Sequence, residues 1–108
     1  MSSSLKIGVA GLGTVGSGLV RLMEENKKEL SLRAGRKIEI SRISARDRNA
    51  DRGFDISPYG WHDDPLELVV DQEVDVVVEL IGGSDGISKD LVFAALKNGK
   101  HVITANKA

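Results

Sequence analysis

The chain has 108 residues and a mass of 11.6 kDa, enough for one domain around one core, and its 41% apolar and 29% charged residues exclude disordered and fibrous classes. Its 15 basic and 16 acidic side chains leave a net charge of -1, which gives no broad electrostatic footprint for nucleic acid. Absence of cysteine excludes disulfide scaffolds and thiolate zinc sites and fits a reducing cytoplasm; no apolar run approaches the roughly 18 residues of a membrane span, and Met1-Ser2-Ser3-Ser4 does not read as a signal peptide.

Glycine is the compositional outlier, with 12 residues where average usage of about 7% gives fewer. The run Lys6-Ile7-Gly8-Val9-Ala10 is short, mostly apolar and followed by glycine, which favours a buried strand. Gly11-Leu12-Gly13-Thr14-Val15-Gly16 follows, and then a helix whose apolar residues Val15, Leu19 and Leu22 recur at helical spacing with Met23 beside them. The charge-dense residues 24–29 read as the solvated far end of that same helix. Residues 37–45 alternate Ile38, Ile40 and Ile43 with polar neighbours and predict a second strand.

Residues 47–58 carry Asn, Asp, Gly, Ser and Pro without periodicity and predict a loop, and Tyr59-Gly60-Trp61-His62 predicts a short edge strand. A helix start follows at Asp64: its carboxylate can cap, Pro65 suits the first helical position, and Glu67 lies three residues after the cap. Leu66, Val69 and Val70 would form the buried stripe. Residues 74–81 are almost continuously apolar, as in a parallel strand covered on both faces, and Gly82-Gly83 ends them. Residues 88–98 predict a helix that buries Val92, Ala95 and Leu96 and stops at Gly99. His101-Val102-Ile103-Thr104 is the last strand.

Strands and helices alternate, with crossovers long enough for parallel pairing. The pattern predicts a Rossmann-type doubly wound α/β fold: a mainly parallel sheet with helices on both faces, three layers in all, over residues 1–108.

The G-x-G-x-x-G string sits where its chemistry requires, after a strand and at the opening of a helix in the first βαβ unit. Gly11 permits the tight turn, Gly13 lets the backbone approach a pyrophosphate, and Gly16 lets helix and strand pack closely. The helix mouth adds unpaired N–H groups and a partial positive charge for the anion. Arg46, thirty residues beyond Gly16 at the end of the second strand, can pair bidentately with a 2′-phosphate. Asp47 beside it can instead accept ribose hydroxyls or repel that phosphate, so the pair leans towards NADP with NAD tolerated. Gly82 and Gly83 lie at a strand's carboxyl end, in the crevice where open α/β sheets bind ligands. Glu79 either is buried and partnered or points into that crevice. Spacing alone makes Lys107 a surface lysine. His62 and His101 have no companions at metal-ligand spacing, and no metal site is expected.

Four stretches together resemble homoserine dehydrogenase: Ile7-Gly8-Val9-Ala10-Gly11-Leu12-Gly13-Thr14-Val15-Gly16, Ile43-Ser44-Ala45-Arg46-Asp47, Val78-Glu79-Leu80-Ile81-Gly82-Gly83, and Gly99-Lys100-His101-Val102-Ile103-Thr104-Ala105-Asn106-Lys107. The resemblance implies NAD(P)H-dependent interconversion of aspartate 4-semialdehyde and homoserine on the route to threonine and methionine, in the cytoplasm. It implies that Leu12, Thr14 and Val15 line the pyrophosphate and nicotinamide side and that Arg46 meets the 2′-phosphate. Ile81 and Gly82 would flank the cofactor, Thr104 would lie near the nicotinamide, and Lys107 would face cofactor and substrate as the catalytic lysine. Members of that family continue into a substrate and dimerisation domain, so this chain is expected to bind dinucleotide without turning substrate over. Its outer strand is expected to invite edge-to-edge self-association. Two other readings are a non-catalytic dinucleotide sensor and the nucleotide domain of another semialdehyde or sugar reductase.

Overall fold

A computed structural model describes residues 4–50, 53–81 and 86–104. In chain order the elements are β1 (Leu5–Ala10), α1 (Thr14–Glu25), α2 (Lys27–Ala34), β2 (Ile38–Ser44), β3 (Gly60–His62), α3 (Glu67–Val70), β4 (Val76–Glu79), α4 (Gly86–Lys97) and β5 (His101–Thr104). The five strands form one sheet in the order β3-β2-β1-β4-β5, and every neighbouring pair is parallel. The expected doubly wound architecture is therefore present, including the short edge strand at residues 60–62.

Strand alternation, rephased in β2 where the β1–β2 register skips Ser41, builds two cores, one on each face. Ile7 and Val9 of β1, Ile40 and Ile43 of β2 and Val76 and Val78 of β4 pack with Val20 of α1. Ala10 of β1 and Val77 of β4 face the other way, against Leu68 and Val69 of α3 and Leu91 and Ala95 of α4. Phe54, Ile56 and Tyr59, from the long connection before β3, close over the first of these cores.

The helices depart from the predicted pattern at one break, in the buried faces of α1, α3 and α4, and at the start of α3. The predicted single first helix is two, because the chain breaks at Asn26, whose side-chain amide and backbone N–H both donate to the Leu22 carbonyl. Such local side-chain bonding competes with helix continuation. On α1 the buried positions are Gly16 and Val20, with Leu19 and Met23 packed alongside; Val15 and Leu22 are exposed, so the apolar stripe is rotated from the one expected. On α3 the buried pair is Leu68 and Val69, while Leu66 and Val70 are exposed. That helix has only four residues and is entered through i→i+3 bonds from Asp64, Pro65 and Leu66, so the 3.6-residue phase never establishes itself.

Asp64 is not the cap expected: α3 starts at Glu67 with Leu66 at its N-cap and no side-chain cap bond, and the Asp64 Oδ1 instead accepts the Leu66 N–H at 2.9 Å in the turn before it. On α4 the buried residues are Leu91 and Ala95, with Val92 half-buried and Leu96 exposed. Gly99 stops it as predicted: at φ 75° it lets the Gly99 N–H reach the Leu96 carbonyl and the Lys100 N–H reach Ala95, a Schellman closure.

Candidate dinucleotide site

The carboxyl ends of β1, β2 and β4 meet at one end of the sheet, and the first turn of α1 starts there. The turn at Gly11 is held on both sides. Its N–H donates to the Ser44 carbonyl at 2.8 Å, and the Ala10 carbonyl accepts the Leu80 N–H at 2.8 Å. Gly11 has φ 97°, and a β-carbon there would stand 2.8 Å from the Leu80 backbone. A β-carbon on Gly16 would stand 1.9 Å from the Gly11 carbonyl oxygen. Both glycines are thus demanded by the protein's own packing.

Gly13 is different. Its backbone is extended, at φ -73° and ψ -157°, a conformation open to any residue, and a β-carbon on it would meet nothing within 4 Å. It precedes the first turn of α1, whose start has no side-chain cap and no acidic residue. Helix geometry leaves the N–H groups of Thr14, Val15 and Gly16 without intrahelical partners. Thr14 and Val15 are exposed at this mouth and Gly16 is buried.

A cavity of about 580 Å³ opens beside the mouth, lined by Gly11, Leu12 and Gly13, by residues 44–47, by Asp63 and Pro65, and by Leu80 and Ile81. Of the sequence-predicted site residues it gathers Gly11, Leu12, Gly13, Arg46 and Ile81. Thr14, Val15 and Gly16 belong to the adjoining helix turn. Gly82, Gly83 and Lys107 lie outside the described residues. Arg46 is exposed at the cavity wall, and so is Asp47, whose Oδ1 accepts the Asn49 N–H at 2.9 Å and is thereby tied into its own loop. Ser44 is buried, and its hydroxyl has no hydrogen-bond partner among the described residues.

Thr104 does not line this cavity. It stands level with Glu79 across the β4–β5 pair and donates its hydroxyl hydrogen bond to Glu79 Oε1. The second oxygen of Glu79 accepts the Ile81 N–H at 2.7 Å. Glu79 is fully buried, so of its two alternatives the buried, partnered one holds. It ties the end of β5 to the loop entering the crevice.

Ser44, Ala45, Asp63, Pro65 and Leu80 are lining residues that the sequence reading did not single out. The rule that ligands sit outside strand carboxyl ends, extended to the weakly signalled strand at residues 60–62, would have found Asp63 and Pro65. Of the two histidines, His62 is hydrogen-bonded to Asp71 at 2.8 Å and His101 lies exposed on β5. Among the described residues no three His, Asp or Glu side chains gather as a metal site, and no helix is long and apolar enough to cross a membrane.

Comparison with known proteins adds three findings. The family model described as homoserine dehydrogenase, NAD binding domain, matches residues 11–108. Curated homoserine dehydrogenases from Pseudomonas aeruginosa and Neisseria gonorrhoeae are 45% and 46% identical over 104 residues, covering 96% and 95% of this chain. A crystal structure of homoserine dehydrogenase from S. aureus superposes with a TM-score of 0.86 at 41% identity, over 99% of this chain and 27% of that one. The chain spans about a quarter of the length of the curated relatives it matches, 23% in both cases.

Proposed function

The chain belongs to the family of homoserine dehydrogenase NAD-binding domains, and from that premise we propose that it holds NADPH, and NADH less tightly, for the reduction of aspartate 4-semialdehyde to homoserine. The observation that carries this reading is Gly13. Neither its backbone conformation nor any protein neighbour requires a glycine there, whereas a pyrophosphate drawn against the helix mouth does.

The residues present fit a dinucleotide. The N–H groups of the first turn of α1 meet the diphosphate, with Leu12, Thr14 and Val15 around it. Arg46 pairs with the 2′-phosphate, and Asp47 leaves it free to do so because that carboxylate serves its own loop. Ile81, Gly82 and Gly83 would flank the cofactor, and Thr104, whose hydroxyl is bonded to Glu79, would lie near the nicotinamide.

When bound, the cofactor supplies a hydride. The chain's own contribution is orientation and charge. Lys107 donates a hydrogen bond to the substrate's carbonyl oxygen and stabilises the negative charge that develops there, or passes the proton on. The cysteine-free sequence fits work in a reducing cytoplasm.

A second reading, a dinucleotide sensor that signals to a protein partner, draws on the exposed apolar side chains Phe93, Leu96 and Ile103. Identity above 40% to homoserine dehydrogenases favours the first reading, also over another semialdehyde or sugar reductase. Replacing Lys107 in a full-length parent separates the two. A reductase loses turnover with dinucleotide affinity kept, while a sensor keeps its ligand response. The direct test of the site is titration of this chain with NADPH and NADH, followed by nicotinamide fluorescence. Saturable binding with NADPH tighter supports the proposal, and absence of binding refutes it.

A further inference from the structure

We propose that Asp63 reads the purine base of the dinucleotide, accepting a hydrogen bond from the exocyclic amine of adenine. This rests on the reading that the cavity beside α1 holds a dinucleotide. The cavity lining combines backbone, charged and apolar groups. Gly11 and Gly13 mark the diphosphate, and Arg46 and Asp47 at the end of β2 mark the ribose. Pro65, Leu80 and Ile81 are further apolar lining residues, and Asp63, just past the end of β3, is a carboxylate among them. Ile81 packs with the α3 and α4 core and Pro65 opens the turn into α3, while Leu80 packs with the core on the other face, so these apolar residues span the end of the sheet. Apolar lining residues accompanied by a carboxylate suit a flat heterocycle whose faces are apolar and whose edge is polar.

Asp63 is held for the task. Its Oδ1 accepts the indole N–H of Trp61 at 2.8 Å, and among the described residues its other oxygen has no partner. Its neighbour Asp64 differs, having turned its carboxylate to the Leu66 N–H; only Asp63 of the pair lines the cavity. A carboxylate accepts hydrogen bonds and donates none. Adenine presents a donor amine at position 6, whereas hypoxanthine presents a carbonyl oxygen there, acceptor facing acceptor.

The test compares NADPH with its deaminated counterpart, in which hypoxanthine replaces adenine, by calorimetric titration of this chain. The native chain is expected to bind the adenine form about tenfold more tightly, the size of one charge-assisted hydrogen bond. Asp63→Asn keeps an oxygen for the Trp61 indole and offers an amide donor in place of the other, so the preference should vanish or reverse. Asp63→Ala should lose the preference without gaining affinity for hypoxanthine, and serves equally if the Asn variant melts early. Equal native affinities, or a preference that survives both substitutions, overturn the proposal. Failure of the native chain to bind either dinucleotide overturns it together with the cavity reading, and is distinct from equal binding.

Discussion

The carbonyl oxygen of Gly11 lies 1.9 Å from the point where a β-carbon on Gly16 would sit. The turn that follows β1 and helix α1 therefore touch backbone to backbone, and this contact sets where the helix mouth stands over the end of the sheet. Gly16→Ala cannot be relieved by a side-chain rotation, because the obstructing atom is main chain. Overpacking of this kind costs about 1–3 kcal/mol and sometimes more. A loss of at least about 2 kcal/mol in urea unfolding is expected, and an unchanged midpoint would show that α1 can move away freely.

Gly13→Ala should behave in the opposite manner. The added methyl meets no protein atom within 4 Å, so the expected stability change is about 1 kcal/mol or less, the ordinary penalty of alanine at a helix cap. Its methyl would nevertheless occupy the approach to the helix mouth, and NADPH affinity should fall by about tenfold or more. Unfolding and fluorescence titration on one preparation check both halves.

Much of this was legible in the sequence because local signals agreed with the fold. The apolar run at residues 74–81, the isoleucines of residues 38–43 and the glycine stop at Gly99 each name an element whose tertiary role matches its local preference, although Ile43 shares a face with Ile40 only because the register skips Ser41. Helix faces were less legible. Leu66 and Val70 are apolar yet exposed, since a four-residue helix has too few turns for periodicity to choose a face. The break at Asn26 depends on one side chain taking the Leu22 carbonyl, which spacing does not register. At the site, the glycine loop and Arg46 carry chemistry in their residue types. Asp63 and Pro65 do not, and join the cavity only because β3 lies beside β2 in the sheet.

Arg46 is placed to separate the two nicotinamide dinucleotides. It is exposed on the cavity wall, and a guanidinium forms paired, charge-assisted bonds with a phosphate. Arg46→Ala should weaken NADPH by about tenfold or more while leaving NADH unchanged. Equal affinities for the two, unaltered by the substitution, would refute the phosphate role.

Asp71 predicts a pH dependence of stability. Burial pushes its carboxyl pKa upward, but the His62 hydrogen bond, the Glu73 N–H and the Arg42 guanidinium outweigh burial and hold it below the ordinary 3.8. Arg42 Nε stands 2.9 Å and His62 Nε2 2.8 Å from the same oxygen, and Lys100 Nζ donates to the Asp71 carbonyl at 3.0 Å. A depressed folded pKa means that this stabilisation is complete above the unfolded value and is lost as pH falls through the folded one. Asp71→Asn should therefore be less stable at pH 7 by about 1–3 kcal/mol, and the gap to the native chain should narrow below pH 4. A gap that stays constant down to pH 2 would contradict this.

The outer edge of β5 carries the last prediction. Among the described residues β5 ends the sheet, so one side of its backbone faces no neighbouring strand. Ile103 on this strand is 59% exposed, and Phe93 and Leu96 of α4 are exposed at similar levels. An unpaired strand edge bearing apolar side chains is a template for pairing, and a second copy of this chain presents the same edge. Association rising with concentration is therefore expected, measured by light scattering up to millimolar protein. Charge on an edge strand opposes such pairing, so Ile103→Lys should keep the chain monomeric across that range without altering NADPH affinity, because Ile103 does not line the cavity. A native chain that stays strictly monomeric at millimolar concentration would remove the prediction. A variant that still associates would instead move the contact away from β5.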